Sequence, residues 1–516
     1  MSKNPLVLTL DFGTQSVRAA LINKTGDIVY LSKKEYGQVS FSLKKGYAEQ
    51  FADYYWENMV ECLKKLTKSC DELLPDIVAM TVVTFRDSAV LLDENNKPLR
   101  PVILWMDQRL AKAEEKLPAI HRFLFKLVGM KDAIDMNRTR TAAHWIKENE
   151  PEIWKQTKKY VNISTYINFR LTGELADSPG GLTGHYPINY RKSVWYKEGA
   201  MKGRIFGIPN RMLPRIVPAG EVIGTLSQKV ADEVGLPFGI KLISTGSDKG
   251  CETIGLGCLT PDVGAISYGT ACTIEVSNKK FHEPEPFLPA YAAAVPGLYN
   301  LDVQVYRGYW MLKWFASEFA SELEKEAEQE KESIEEILDE WLNDVSIGSD
   351  GLLLQPYWGP GLARPLAKGA MVGFSSVHTR KHMYRAIVEG IAFALREGLE
   401  SIEKSQKHKV KSLRISGGGS RSDEICQITA DIFGLEISRV QTIESTSLGG
   451  AIATFAAVGE FKNVQDAVNN MTKFSKTFKP NVENHKIYDK IYREAYLKIY
   501  PRLNPLNRTI NKLFKR

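Results

Sequence analysis

Apolar residues run from Leu6 to Leu10, stop at Asp11 and give way to a polar turn, Gly13-Thr14-Gln15-Ser16. Alternation then resumes from Val17 to Ile22. This pattern predicts two strands joined by a tight turn. Asp27 to Ser40 predicts a further strand and its exit. Tyr54, Tyr55, Met59, Cys62, Leu63 and Leu66 recur with helical spacing between Phe51 and Cys70. The short apolar run Ile77 to Val83 predicts a buried strand ending in Thr84-Phe85-Arg86-Asp87. Pro101 to Met106 predicts another, ending near Trp105-Met106-Asp107-Gln108-Arg109. Polar groups gathered where buried strands end are the layout of an α/β cleft.

Ala111 to Glu150 predicts mostly helix, broken near Gly129 and Asn137. Tyr160 to Leu171 predicts a second amphipathic segment, stopped by Gly173, and Asp177 to Tyr186 a loop. Near Pro261 the opening pattern returns: Gly264 to Val276 is again strand, small polar turn, strand. Ser267-Tyr268-Gly269-Thr270 echoes Asp11-Phe12-Gly13-Thr14. The repetition implies an internal duplication, with one domain over 1–260 and a second over 261–516. Ser317 to Trp341 predicts an acidic amphipathic helix or helix pair whose Glu324–Ser333 stretch is a solvated face. Lys381 to Glu403 predicts a strong helix. Ser412 to Ile415 is a strand feeding Gly417-Gly418-Gly419-Ser420, with Asp423 to Gly434 the helix behind it. Ser447 to Val458 is a small-residue helix able to pack closely. The tail from Ile487 is helical and then basic, expected to be a surface terminus.

Composition narrows the function classes. The net charge of +7 over 516 residues is modest, and no basic stripe is interleaved with aromatics, which argues against nucleic acid as a partner. No apolar run approaches the ~20 residues of a membrane span, and no signal-peptide layout precedes the first strand. Cys62, Cys70, Cys251, Cys258, Cys272 and Cys426 lack paired metal spacing and are expected to be reduced, packed thiols of a cytoplasmic protein.

Four Gly-rich, strand-terminal sites stand in one chain: Gly13–Ser16, Gly246–Asp248, Gly269–Cys272 and Gly417–Ser420. There is no P-loop or protein-kinase signature. Two hairpins able to face phosphates, an Asp in a Gly loop and a late Gly turn opening a helix together suit nucleotide-dependent phosphoryl transfer, which needs charge neutralisation and alignment. Thr14, Gln15, Ser16, Arg18 and Thr270 are candidate phosphate donors, and Asp11 a candidate Mg²⁺ holder acting through water. Asp248, with Gly246 and Gly250 leaving the backbone bare, is the candidate general base. The plain alternatives are an N-cap role for Asp248 and a turn-closing role for Asp11.

LTLDFGTQSVRAALI, GSDKGCETIGLG, SYGTACTIEV and GGGSRSDEICQITADIFG resemble, in order, the motifs of the FGGY carbohydrate kinases. Gly369 to Glu389 resembles that family's C-terminal signature, with Gly373, His382, Ala386 and Glu389 in fitting places. The resemblance implies an α/β protein of two actin-like, ribonuclease-H-like domains closing over a cleft, with ATP mainly on the second and sugar mainly on the first. It implies Asp248 as catalytic base, phosphate contacts from Thr14, Gln15, Ser16, Arg18, Gly269 and Thr270, and Gly418 with Asp423 beside the nucleoside. It also implies Mg²⁺, a small carbohydrate substrate, and compatibility with a homodimer.

At the substrate end, Arg86-Asp87 resembles the Arg-Glu pair of glycerol kinases and Trp105 their aromatic wall. Asn137 stands where those enzymes carry Tyr, Lys249 where they carry Gln, and Phe85-Arg86 replaces the Met-His pair typical of xylulokinases. The general layout, including Gln304 to Phe315, resembles the xylulokinase branch, so a xylulose-like ketose is the expected substrate. Glycerol, another polyol or an aldonate is the alternative within the family. A non-catalytic nucleotide-binding regulator is the alternative outside it, and retention of Asp11, Thr14, Asp248 and Thr270 argues against that. Arg86 is expected to pair with Asp87 or with sugar hydroxyls, and Lys249 to face solvent. If instead both cations face the substrate, an acidic one is implied.

Overall fold

A computed structural model describes residues 4–514 apart from 128, 286–287, 324–326, 328–332, 360, 362–363 and 365. The opening pattern folds as expected: β1 (Leu6–Phe12) pairs antiparallel with β2 (Ser16–Asn23), placing Asp11 opposite Arg18. The first sheet is completed by β3 (Ile28–Glu35), β4 (Ile77–Thr84), β5 (Val222–Thr225) and β6 (Lys241–Ile243), in the order β5-β6-β4-β1-β2-β3. Every β1 residue is buried, since helices cover both faces of the sheet. Fully buried Leu8 and Leu10 each contribute roughly 1.5–3 kcal/mol.

The second sheet repeats this plan. It contains β7 (Val263–Tyr268), β8 (Cys272–Asn278), β9 (Tyr291–Ala292), β10 (Tyr299–Val305), β11 (Ser412–Ser416), β12 (Glu436–Val440) and β13 (Phe474–Phe478), in the order β9-β10-β8-β7-β11-β12-β13. In both sheets a central strand, β1 or β7, is antiparallel to its hairpin partner and parallel to the strand on its other side, β4 or β11. Order and polarity match strand for strand from β5 to β3 and from β13 to β10. The duplication hinted at by four residues is therefore architectural.

The helices that matter for the site are α1 (Ala52–Ser69), α2 (Ala119–Leu127), α3 (Lys131–Arg140), α4 (Asp248–Gly255), α5 (Arg380–Gln406), α6 (Asp423–Phe433), α7 (Ser445–Ala457) and α8 (Leu497–Leu513). The small-residue helix α7 crosses from the second half onto the first. A Cβ at Gly449 would lie 1.7 Å from the carbonyl oxygen of Cys251, and one at Gly255 would lie 2.0 Å from that of Ser445. Only glycine permits this backbone-to-backbone approach of α4 and α7. Leu448, Ala451 and Ile452 of α7 share one apolar cluster with Val7, Ala20 and Val83 of the first sheet. The halves are thus joined at a packed helix pair, with the cleft opening from the N-terminal end of α4.

Some elements differ from expectation. Lys159–Asn162 is a strand, paired with Ala89–Leu92, and helix begins only at Ile163. Tyr160 and Val161 are apolar enough for either, and the free edge of Ala89–Leu92 decides for strand. Asn137 lies inside α3, which runs to Arg140 and is capped by Thr141. The strand expected over Pro101–Met106 shrinks to Val102–Ile103. Gln228–Val234, between β5 and β6, is helical and is closed by Gly235 in the left-handed region. The acidic stretch Glu324–Ser333 falls largely outside the described residues. All six cysteines are buried and unpaired, and no described helix is long and apolar enough to cross a membrane.

Candidate active site

A cleft of about 950 Å³ lies between the halves, with Thr14, Arg86, Asp87, Trp105, Asp248, Lys249 and Thr270 among its walls. These candidates come from five separate stretches of chain. Asp11, Gln15, Ser16, Arg18 and Gly269 belong to the two hairpins and are not among the lining residues. Gly418 and Asp423 are not among the lining residues.

The first hairpin is held by its own backbone: the N–H of Gly13 donates to the carbonyl of Ser16 at 3.0 Å, and Gln15 O accepts from Tyr36 N at 2.9 Å. The Gln15 amide oxygen faces Lys313 Nζ of the second half at 3.5 Å. Arg18 on β2 reaches back to Asp11, 3.6 Å away, and its Nε is 2.9 Å from Glu444, the residue before α7. Asp11 is 5% exposed. Burial is the main cause that pushes its carboxyl up to about 7. Arg18 opposes this, while Glu444, Asp248 and Glu252 add to it. Asp11 is thus a buried carboxylate in surplus negative charge and closes no turn.

Asp248 is the first residue of α4. Ser247 takes the N-cap, accepting from Gly250 N at 3.5 Å, so the capping role once open to Asp248 belongs to its neighbour. The Asp248 carboxylate accepts the N–H of Lys249 at 2.8 Å and stands 4.0 Å from Arg86 Nε, with its side chain 26% exposed toward the cleft. Burial raises its pKa, against the pull of Lys249 and Arg86. A carboxylate raised by burial and open on one side is suited to accept a proton.

At the substrate end, the expected Arg86–Asp87 pair and solvent-facing Lys249 are both replaced by other contacts. Arg86 does not pair with Asp87; its Nη1 bonds Asp302 on β10 at 2.8 Å, tying the end of β4 to the second sheet. Asp87 instead turns to His185. Its Oδ2 lies 2.6 Å from the imidazole Nδ1 and its Oδ1 accepts the His185 N–H at 2.9 Å. Asp87 adopts a left-handed backbone, φ 55°. Burial works against its charge, but His185 outweighs it and holds the carboxyl below the usual range. Lys249 does not face solvent. Its ammonium bonds Glu252 at 2.8 Å and donates to Ser267 Oγ at 2.6 Å, beside the second hairpin. Trp105 lies on the wall with its backbone N–H on Ser88 Oγ at 3.1 Å.

At the late Gly turn, a Cβ at Gly417 would lie 2.6 Å from Tyr268 O, so the turn abuts the end of β7. Open space surrounds Gly418. Asp423 begins α6 and is paired with Arg439 at 3.0 Å and with Lys476. The signature residues His382 and Glu389 stand apart from the cleft. His382 caps α5 and meets Asp350 at 3.1 Å, and Glu389 is buried against Arg385 and Tyr488, each at 2.8 Å.

Sequence reasoning missed Asp302, Glu275, Glu252, Glu444 and His185. Asp302 and Glu275 face each other across β10 and β8. Burial first, and then Asp302, push Glu275 up to about 8, and its carboxylate bonds Thr253 at 2.6 Å and Asn300 at 3.1 Å. A charged residue inside an apolar strand, as in CTIEVSN and YNLDVQV, was the available signal. His185 sits in an irregular loop and carried none.

The described residues contain no group of three or more His, Cys, Asp or Glu arranged to hold a metal. Mg²⁺ is commonly held by one or two carboxylates with waters and phosphates. Asp11, in its surplus of negative charge, fits that manner of binding.

The model for the N-terminal domain of the FGGY family of carbohydrate kinases matches residues 6–255, and that for the C-terminal domain matches 264–458. The chain belongs to the FGGY family of carbohydrate kinases. Within that family it is 28% identical to a xylulose kinase of Lactococcus lactis over 491 residues, 94% of each chain. It is 26% identical to glycerol kinase 2 of Thermotoga maritima, over 94% of this chain and 97% of that one. Its fold matches crystal structures of a xylulose kinase and a gluconate kinase from Lactobacillus acidophilus. Each has a TM-score of 0.80 and covers 97% of this chain and 98% of the other, at 23% and 24% identity. The architecture is the two-domain, actin-like one of FGGY kinases, and the protein is an ATP-dependent phosphotransferase with an alcohol acceptor.

Proposed function

We propose that the protein phosphorylates a hydroxyl of a xylulose-like ketose, with Asp248 as general base. The observation that carries this reading is the position of Asp248: its carboxylate, 26% exposed, lies in the cleft 4.0 Å from Arg86 Nε, with Thr14, Lys249 and Thr270 among the same walls. The xylulose kinase relatives favour the ketose. In the proposed step Asp248 accepts the proton of the acceptor hydroxyl as its oxygen bonds the γ-phosphorus and ADP departs. Thr14, Gln15, Ser16 and Arg18 receive phosphate oxygens on one side, Gly269 and Thr270 on the other, and Gly418 borders the nucleoside. Lys249, beside Ser267, is assigned to phosphate charge. Asp423, held by Arg439 and Lys476, would act through the α6 N-terminus it begins. Asp11 would hold Mg²⁺ through water, and the ion supplies neutralisation of charge on the transferring phosphoryl group. Arg86, Asp87 and Trp105 would orient the sugar.

A second reading, an acidic sugar such as an aldonate, is favoured by Arg307. It lines the cleft, its guanidinium lies 5.0 Å from the Trp310 ring centre, and among the described residues it pairs with no carboxylate. Burial lowers its pKa with nothing opposing. ADP release measured over ketoses, polyols and aldonates separates the readings. Turnover confined to aldonates refutes the ketose. Asp248→Asn, which keeps an acceptor for the Lys249 N–H, is expected to lower kcat at least ~10²-fold; full turnover would refute the base.

A further inference from the structure

The last helix, α8, leaves the body of the protein with one apolar flank uncovered. From Ala495 to Arg516 the sequence holds six Lys or Arg and no Asp or Glu, so this segment carries six of the chain's seven net positive charges. Its inner face is anchored by aromatic and amide side chains. Just before the helix, Tyr496 meets the Phe393 ring of α5 at 5.1 Å. Tyr500 packs edge-on to Tyr357 at 6.2 Å, Asn507 is buried, and Asn511 Nδ2 donates to the Leu366 carbonyl at 3.4 Å.

At ~100° per residue, Ile499, Leu503, Leu506, Ile510 and Leu513 fall on the adjoining flank. The row begins as a core contact, with Ile499 and Leu503 half-buried, and continues beyond the body. Leu506 is 59% exposed, Ile510 40%, Leu513 74% and Phe514 72%. Next to it, and across the outward face, stand Lys498, Arg502, Arg508 and Lys512, all exposed. The pattern continues off the protein as an aliphatic row bordered by cations, with no anion among them.

We propose that α8 is a docking element for an anionic lipid bilayer. The helix lies along the headgroups, with Leu506, Ile510, Leu513 and Phe514 entering the acyl boundary and the flanking cations meeting lipid phosphates. Charge decides against the other occupants. A second copy would bring two such cationic rows together, which repel. A nucleic acid would meet the cations but leave the aliphatic row in water. The expectation of a plain surface terminus rested on the helical and then basic pattern of the tail and on the lack of an apolar run long enough to span a membrane; the outward aim of the aliphatic row replaces it with docking along the bilayer surface.

Co-sedimentation of the full-length protein with vesicles tests this. Binding is expected to phosphatidylcholine vesicles containing about one-third phosphatidylglycerol and not to pure phosphatidylcholine, with release as salt rises toward about 1 M. Leu506→Asp with Leu513→Asp, and separately Arg508→Glu with Lys512→Glu, are each expected to lower partitioning at least ~10-fold. Because these side chains are exposed, ATP turnover without vesicles and the melting temperature are expected to stay at wild-type values. Absence of wild-type binding to anionic vesicles overturns the proposal, as does unchanged binding of the Leu506→Asp, Leu513→Asp protein. A dimer that this double variant dissolves, without vesicle binding, assigns the row to a second copy and overturns it too. So does retention of duplex DNA that only the charge variant loses, without vesicle binding.

Discussion

Replacing Arg86 by Met removes the one cation that, among the described residues, bonds Asp302, in a region that also holds Glu275 and Asp248. The Arg86 and Asp302 side chains are 14% and 4% exposed, so the pair is buried. The other oxygen of Asp302 is buried and makes no hydrogen bond among the described residues. Glu275 faces Asp302 across the strands and Asp248 lies 4.0 Å from Arg86. Breaking a buried pair by removing one member costs about 3–5 kcal/mol. The upper end applies to Arg86→Met, because like charges are then left together. Asp302→Asn is milder, about 1–2 kcal/mol, since Arg86 keeps Asp248 and Glu275 and the amide oxygen still accepts a bond. In Arg86→Met with Asp302→Asn the stranded Asp302 charge is gone as well, and a coupling of about 3 kcal/mol leaves the double variant about 1–2 kcal/mol more stable than Arg86→Met. For a unit the size of either half, 1 kcal/mol moves the melting midpoint by about 2–4 °C. The expected loss is therefore roughly 8–20 °C for Arg86→Met, with roughly 2–8 °C recovered in the double variant. Thermal unfolding of the three variants beside wild type, at neutral pH and constant salt, reads both values. If the double variant melts no higher than Arg86→Met, stranded charge is not what the pair prevents, and the reasoning fails.

Lys249→Met removes a charge-assisted contact worth about 1.5–3 kcal/mol, so KM for ATP should rise about tenfold or more while KM for the sugar holds; steady-state kinetics with each substrate varied would refute the phosphate role if only the sugar KM moved. Gly184→Ala would set a Cβ 2.4 Å from Asp87 Oδ1 at φ 136°, displacing the Asp87–His185 pair and costing about 1–3 kcal/mol, and kcat/KM should fall by about tenfold. Asp11 has opposite effects on activity and stability. Between its ordinary 3.8 and about 7 the native state keeps a proton that the unfolded chain gives up. Its contribution to stability is therefore fully present at low pH and is lost as pH rises through about 7, whereas its service to Mg²⁺ requires that loss of the proton. Melting temperatures from about pH 4 to 8 should fall less steeply in Asp11→Asn than in wild type, and equal slopes would contradict the assignment.

Local pattern was enough wherever an element buries its own apolar face. Leu6–Ile22 and its counterpart Gly264–Val276 could be read as hairpins because alternation and turn residues act within a few positions, and the small-residue stretch at α7 announced its close packing. The ordered motifs named the family. Tertiary structure decided what depends on partners distant in sequence. Lys159–Asn162 became a strand because an open edge lay beside it, and Arg86 chose Asp302, 216 positions away, over its neighbour Asp87. Lys249 turned inward because Glu252 and Ser267 offer a buried ammonium both a charge and an acceptor. The same distinction holds at the C-terminus. The sequence itself determined that the tail is helical and basic, but which of its flanks meets the body and which meets solvent was settled only by the packing of Tyr496, Tyr500 and Asn507. A periodic sequence specifies an angle between faces, and contact with the rest of the chain selects the face that is left outside.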